Sequence, residues 1–107
     1  MDWIFDIASA PRGSYEIRAQ RIKGGKTADH EVFERDVIWT ASKCGKVTRS
    51  YYLPLEKRWC MYAHGEEPVA WMPFDEAIDG YEVIERGKTI IRYRCPLAHP
   101  HEIEGAA

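Results

Sequence analysis

The amino-acid sequence predicts a β-rich α+β fold, a small antiparallel sheet of short hairpins with one or two short helices. Three observations predict it. Residues 14–22 alternate Tyr15, Ile17 and Ala19 against Glu16, Arg18 and Gln20, the period-2 pattern of a half-buried strand. Gly and Pro punctuate the chain often, which suits short strands more than long helices. Near the end, the runs 81–86 and 89–94 are joined by Gly87-Lys88, a Gly-X loop that fits a type II′ hairpin turn.

In chain order, Ala10-Pro11-Arg12-Gly13 reads as a turn, with Pro fixing φ and Gly free to take a positive φ that aims Tyr15 into the first strand. The strand over 14–22 ends at Lys23-Gly24-Gly25-Lys26. Residues 27–34 fit either a short helix or an irregular connection. Residues 35–42 and 47–53 are rich in β-branched and aromatic types and flank Lys43-Cys44-Gly45-Lys46, so they are expected to form a hairpin. The runs 58–63 and 68–72 around His64-Gly65-Glu66-Glu67 suggest another pair. Pro73 to Gly80 predicts one short helix, with Pro near its start, acids in its first turn and Gly at its stop.

The Gly87-Lys88 turn sets an expected register for the last hairpin. Ile84 falls opposite Ile91 and Glu82 opposite Tyr93 on a core-facing side, while Tyr81, Arg92 and Arg94 share the other as a basic-aromatic patch. Trp39, Trp59 and Trp71 lie in or beside predicted strands and are expected as core aromatics. Residues 1–95 are expected as a single β-rich domain, with 96–107 a mobile tail.

A chain of 107 residues supports one modest core, which excludes multi-domain enzymes. With 45% hydrophobic and 30% charged residues it has a globular, not a disordered, composition. No apolar run approaches the roughly 18 residues of a membrane span, and Met1-Asp2-Trp3-Ile4-Phe5-Asp6 lacks the basic region of a signal peptide. A cytoplasmic protein with no membrane partner is expected. The three cysteines, Cys44, Cys60 and Cys95, form no C-x-x-C pair and are expected as free thiols. The formal charge of −2 conceals blocks: residues 12–58 carry a basic excess, 59–85 carry acids alone, and 86–94 carry bases alone.

The landmarks Trp3, Ile7-Ala8-Ser9-Ala10-Pro11-Arg12-Gly13, Val37-Ile38-Trp39, Arg58-Trp59 and Pro68-Val69-Ala70-Trp71-Met72-Pro73 follow one another in order. This series resembles a family of small phage and prophage proteins of unknown function, which open with I-x-x-A-P-x-x-G and close with W-M-P-L-P. The resemblance covers roughly residues 3–74. The opening motif is one residue shorter here, Phe74-Asp75 replaces Leu-Pro, and residues 75–107 have no counterpart. The resemblance implies a mobile-element context and carries no catalytic residue.

Motifs for catalysis are sparse. There is no G-x-S-x-G elbow, no phosphate-cradling Gly-rich loop and no H-E-x-x-H pair. Cys44 between Lys43 and Lys46 is a candidate activated thiol with His64 or His30 as base, although a hairpin turn is a poor nucleophile elbow. Asp75, Glu76 and Asp79 form an acidic cluster that a helix start alone explains. Cys95, His99 and His101 are the candidate zinc ligands, with Cys60 or His64 to complete a tetrahedron; the spacing is not that of an established finger, and no cofactor is the leading expectation. Lys43, Lys46, Arg49, Arg92 and Arg94 beside Tyr51, Tyr52 and Tyr81 supply a basic surface with stacking partners, and Asp75 and Glu76 an acidic pole.

The expected function is binding without catalysis. The concrete form is a phage or prophage accessory protein that docks on a host protein or ribonucleoprotein and inhibits a defence complex, in the manner of an anti-CRISPR. The interface residues are Lys43, Lys46, Arg49, Tyr81, Arg92, Arg94, Asp75 and Glu76. A small nucleic-acid-binding regulator and a thiol- or metal-dependent enzyme are the alternatives, and an exposed strand edge leaves a homodimer open.

Overall fold

The computed structural model describes residues 2–101. Its centre is a three-stranded antiparallel sheet in the order β4-β3-β7, with β3 over Ile38–Ala41, β4 over Val47–Ser50 and β7 over Ala70–Pro73. Both faces of this sheet are covered, which is why the Ile38-Trp39-Thr40-Ala41 run is buried without a break. Trp39, Ala41, Ala70 and Met72 face one side, where Trp3, Phe74, Tyr93, Cys95 and Leu97 pack on them. Ile38 and Trp71 face the other, against Ala10, Trp59 and Tyr62, with Ile4, Ile7 and Tyr52 at its margin. The expectation that Trp39, Trp59 and Trp71 are core aromatics holds, and Trp3 joins them.

Of the polar atoms carried into this core the Trp59 indole N–H has no partner, whereas the hydroxyls of Tyr62 and Thr40 are paired. Tyr62 donates its hydroxyl to Thr40 Oγ1 at 2.9 Å, and Thr40 donates onward to Thr48 O at 2.9 Å. The outer edge of β7 is closed by the N-terminal segment, since Ile4 and Trp71 exchange two main-chain hydrogen bonds. A single 3-10 turn, Ile7–Ser9, carries the chain from there into Ala10-Pro11-Arg12-Gly13. Gly13 has φ +82°, and a Cβ there would stand 2.5 Å from Phe33 Cζ, so the turn requires glycine.

Three two-stranded ribbons complete the fold. β1 (Ser14–Arg21) pairs with β2 (Thr27–Glu34), β5 (Tyr52–Leu53) with β6 (Arg58–Trp59), and β8 (Gly80–Glu85) with β9 (Lys88–Tyr93). The first and last project from the core, and the extents of 65 × 41 × 24 Å follow from that. The radius of gyration is 17.8 Å, against about 13 Å for a compact chain of this length. Among the described residues no helix is long and apolar enough to cross a membrane.

The β-rich antiparallel architecture agrees with the sequence, but its parts differ from expectation in five ways. It is four small sheets, not one. The helix expected over 73–80 is a single turn, α1 (Glu76–Asp79), because Pro73 is already committed to β7. Residues 27–34 are a strand, and every residue of β1 is exposed, including Ile17 at 73%. Residues 58–63 and 68–72 do not pair with each other; Arg58–Trp59 returns to Tyr52–Leu53 and Ala70–Pro73 joins β3. Lastly, the β8–β9 turn is Arg86-Gly87, both with positive φ as a type I′ turn requires, not Gly87-Lys88.

That change of turn places Ile84 opposite Thr89 and Tyr81 opposite Arg92. The displacement is an even number of residues, so the sides are kept: Ile84, Ile91 and Tyr93 still share one, and Tyr81 and Arg92 the other. Of the first group only Tyr93 reaches the core, while Ile84 and Ile91 are exposed. Residues 96–101, expected as the start of a tail, pack on the domain. Ala98 O accepts from Trp3 Nε1 at 2.7 Å, and His99 is buried with Nε2 2.7 Å from Ser42 O. The remainder of the expected tail, 102–107, lies outside the described residues.

Candidate functional site

The base of the β8–β9 ribbon is fixed to the core through one carboxylate. Asp75 opens α1 by accepting from Ala77 N–H at 3.0 Å. One turn later the buried Asp79 accepts from Asp75 N–H at 3.1 Å and from the Trp39 indole N–H at 2.7 Å through the same Oδ2. Asp79 O in turn accepts from Arg94 N–H at 3.0 Å, which joins the end of β9 to the helical turn. These bonds set the positions of Ile78, Tyr81 and Arg94 around an open groove of about 410 Å³, lined also by Asp79, Gly80, Cys95 and Pro96.

Within this surface the Arg94 guanidinium lies 5.3 Å from the Tyr81 ring centroid. A cation over an aromatic face gains about 0.5–1 kcal/mol at an exposed site and is held in one orientation while its outer N–H groups remain free. Ile78 stands beside it as an exposed apolar side chain, and the cross-strand pair Val83 and Ile90 continues the same side of the ribbon, half-buried. The arrangement suits an anionic group flanked by apolar surface. Arg92 is on this side too, but it is engaged by Glu85.

The other expected interface residues are placed elsewhere. Arg49 lies 4.0 Å from the Tyr93 ring and 5.6 Å from that of Phe74, on the opposite side of the ribbon. Glu76 accepts the Tyr93 hydroxyl proton at 2.9 Å, a bond that holds the Tyr93 pKa above its ordinary value. Asp75 is spent as the cap of α1. Asp75 and Glu76 each make a hydrogen bond within the fold and remain exposed side by side. Lys43 and Lys46 sit in the β3–β4 turn; Lys43 lines a separate cleft of about 230 Å³ with Phe5, Val69 and His99.

The proposed zinc ligands are not brought together. His99 Nδ1 accepts from His101 N–H at 3.0 Å while Nε2 meets Ser42 O, so both ring nitrogens are engaged. Cys95 Sγ points at Met72 Sδ, 3.7 Å away, and burial pushes its thiol pKa up. Among the described residues no three His, Cys, Asp or Glu side chains form a cluster able to hold a metal. Cys44 is exposed, with Ser42 Oγ 3.2 Å from its sulfur. His30, one of its candidate bases, lies on the β1–β2 ribbon opposite Arg18.

Sequence reasoning grouped Tyr81, Arg92 and Arg94 correctly and missed Ile78 and the anchoring role of Asp79. The signal for Asp79 was local: an acid one turn after an Asp cap, immediately before Gly. Its partner Trp39 is 40 positions away, which no local pattern reports. No protein-family model, no curated protein and no solved structure matches this chain.

Proposed function

We propose that this protein acts by binding a macromolecule and not by catalysis, and that the Tyr81–Arg94 side of the β8–β9 ribbon, with Ile78, is its docking surface. The observation that carries this reading is the groove beside Arg94, where an oriented guanidinium, an aromatic face and an exposed aliphatic side chain converge on a ribbon that projects from the core. Aromatic and Arg side chains of this kind are the usual anchors of protein interfaces. Following the resemblance to phage proteins, the partner is a host protein or ribonucleoprotein, and inhibition of a defence complex is the specific case.

Affinity capture from a bacterial lysate, with and without nuclease, tests it. The wild-type chain is expected to retain a nuclease-resistant complex that Arg94→Glu with Tyr81→Ala loses, at an unchanged thermal melt. Equal capture by that variant would overturn the assignment. A second reading, a nucleic-acid-binding regulator, is favoured by the tip of the β1–β2 ribbon, where Arg21, Lys23 and Lys26 stand with no acid between residues 17 and 28. Three phosphate contacts would give a log–log salt slope of about −2.7 on duplex DNA.

A further inference from the structure

Among the described residues the outer edge of β1 is unpaired over its whole length, and its side chains are complementary to a second copy of itself. Ile22 N–H donates to Lys26 O at 2.9 Å, and the register continues without a bulge to Ser14 opposite Glu34. In an antiparallel ladder directly opposed residues alternate between those that face the partner strand and those that face away. Glu16, Arg18 and Gln20 therefore spend their main-chain groups on β2, as Ile22 does. Tyr15, Ile17, Ala19 and Arg21 direct N–H and C=O at the open edge.

A two-stranded ribbon is marginal in water by itself, and this one exposes Tyr15 and Ile17 on one of its sides. Two β1 strands meeting across a two-fold axis must oppose odd-numbered residues to odd-numbered residues. Four registers keep most of the strand paired, and of these the one centred on Ala19 pairs only residues 17–21 and sets Ile17 against Arg21. One sets Glu16 against itself and another sets Arg18 against itself, and like charges directly opposed destabilise. The register centred on Ile17 differs. It opposes Glu16 to Arg18 of the second copy twice, Tyr15 to Ala19 twice, and Ile17 to itself.

The outer edge of β2 has no such solution, since its two central registers oppose Asp29 to Glu31 or Glu31 to itself. We infer that the chain forms a two-fold homodimer through β1, giving a four-stranded sheet β2-β1-β1-β2 with Ile17 on the axis. Roughly six main-chain hydrogen bonds form across the new edge. Tyr15, Ile17 and Ala19 of both copies become a continuous apolar row, the condition under which a small sheet is stable in water. The contact is isologous and closes after two copies, which removes the β1 edge from further pairing. This surface is separate from the Tyr81–Arg94 side, so the inference stands independently of the docking function.

Sedimentation equilibrium over a wide concentration range tests it on the full chain. The mass is expected to rise from 12.4 kDa to twice that value. Ile17→Lys puts two ammonium groups on the axis while altering a side chain that is exposed in the single chain, and is expected to stay at 12.4 kDa with an unchanged low-concentration melt. Ile17→Pro removes an N–H that faces the open edge and not β2, and is expected to do the same. Ile17→Cys, mildly oxidised, is expected to yield a dimer cross-linked from position 17 to position 17. A wild-type chain that keeps the single-chain mass throughout, or a dimer that both Ile17→Lys and Ile17→Pro leave intact, overturns the inference.

Discussion

Replacing Asp79 by Ala is expected to destabilise the fold by about 2–4 kcal/mol, and the structure supplies the terms. The substitution removes one carboxylate oxygen that accepts two hydrogen bonds, from the buried Trp39 indole at 2.7 Å and from Asp75 N–H at 3.1 Å. The indole is 5% exposed, so it bears the cost of an unsatisfied buried donor, about 1–3 kcal/mol, in addition to a charge-assisted bond. Asp75 is exposed, and water replaces its lost bond at little cost. For a domain this small, the sum lowers the melting temperature by about 10–20 °C. Asp79→Asn keeps an acceptor oxygen and is expected to cost about 1 kcal/mol. Urea unfolding followed by tryptophan fluorescence measures both. A loss below 1 kcal/mol for Asp79→Ala, or equal losses for the two variants, would refute the anchoring role.

Gly13→Ala forces a Cβ against Phe33 and Glu34 O at a positive φ and is expected to cost about 3 kcal/mol or more, whereas Gly24→Ala, with open space around it, costs only the backbone term of about 1–2 kcal/mol; equal melts would contradict the close approach. In native protein, iodoacetamide is expected to label exposed Cys44 well before Cys95, whose thiol pKa is raised by burial and by the nearby Asp79 charge, and peptide mapping reads the order. Burial likewise raises the Tyr62 phenol above 10, so its contribution to stability is intact below that pH and declines as pH rises through the folded value, by up to about 1.4 kcal/mol per pH unit. Unfolding midpoints from pH 9 to 11 are expected to fall less steeply in Tyr62→Phe.

Local chemistry was legible where it is decided locally. The 14–21 strand, the β3–β4 hairpin with its Ser42–Lys46 turn, the glycine stop of α1 and the side-sharing of Tyr81 with Arg92 all follow from alternation and turn residues within a few positions. The candidate surface was half legible for the same reason: Tyr81 and Arg94 lie on one ribbon, whereas Arg49 and Glu76 meet at Tyr93, a residue far in sequence from Arg49. The positive charge of Arg92 is met by Glu85, seven residues earlier and across the turn.

By itself the sequence determined that the chain is β-rich, that Trp39, Trp59 and Trp71 belong to the core, and where several of its turns fall, because periodicity and backbone preference are properties of neighbouring residues. Only the tertiary structure decided which runs pair and which alternating strands are covered. Residues 14–21 and 38–41 both read as strands, yet one is exposed along its whole length and the other is buried on both faces. The difference is made by the segments around residues 3–10 and 95–101, which close over the central sheet and leave the β1–β2 ribbon outside it. Burial depends on what the rest of the chain brings to a face, and that is a long-range contact no local pattern encodes.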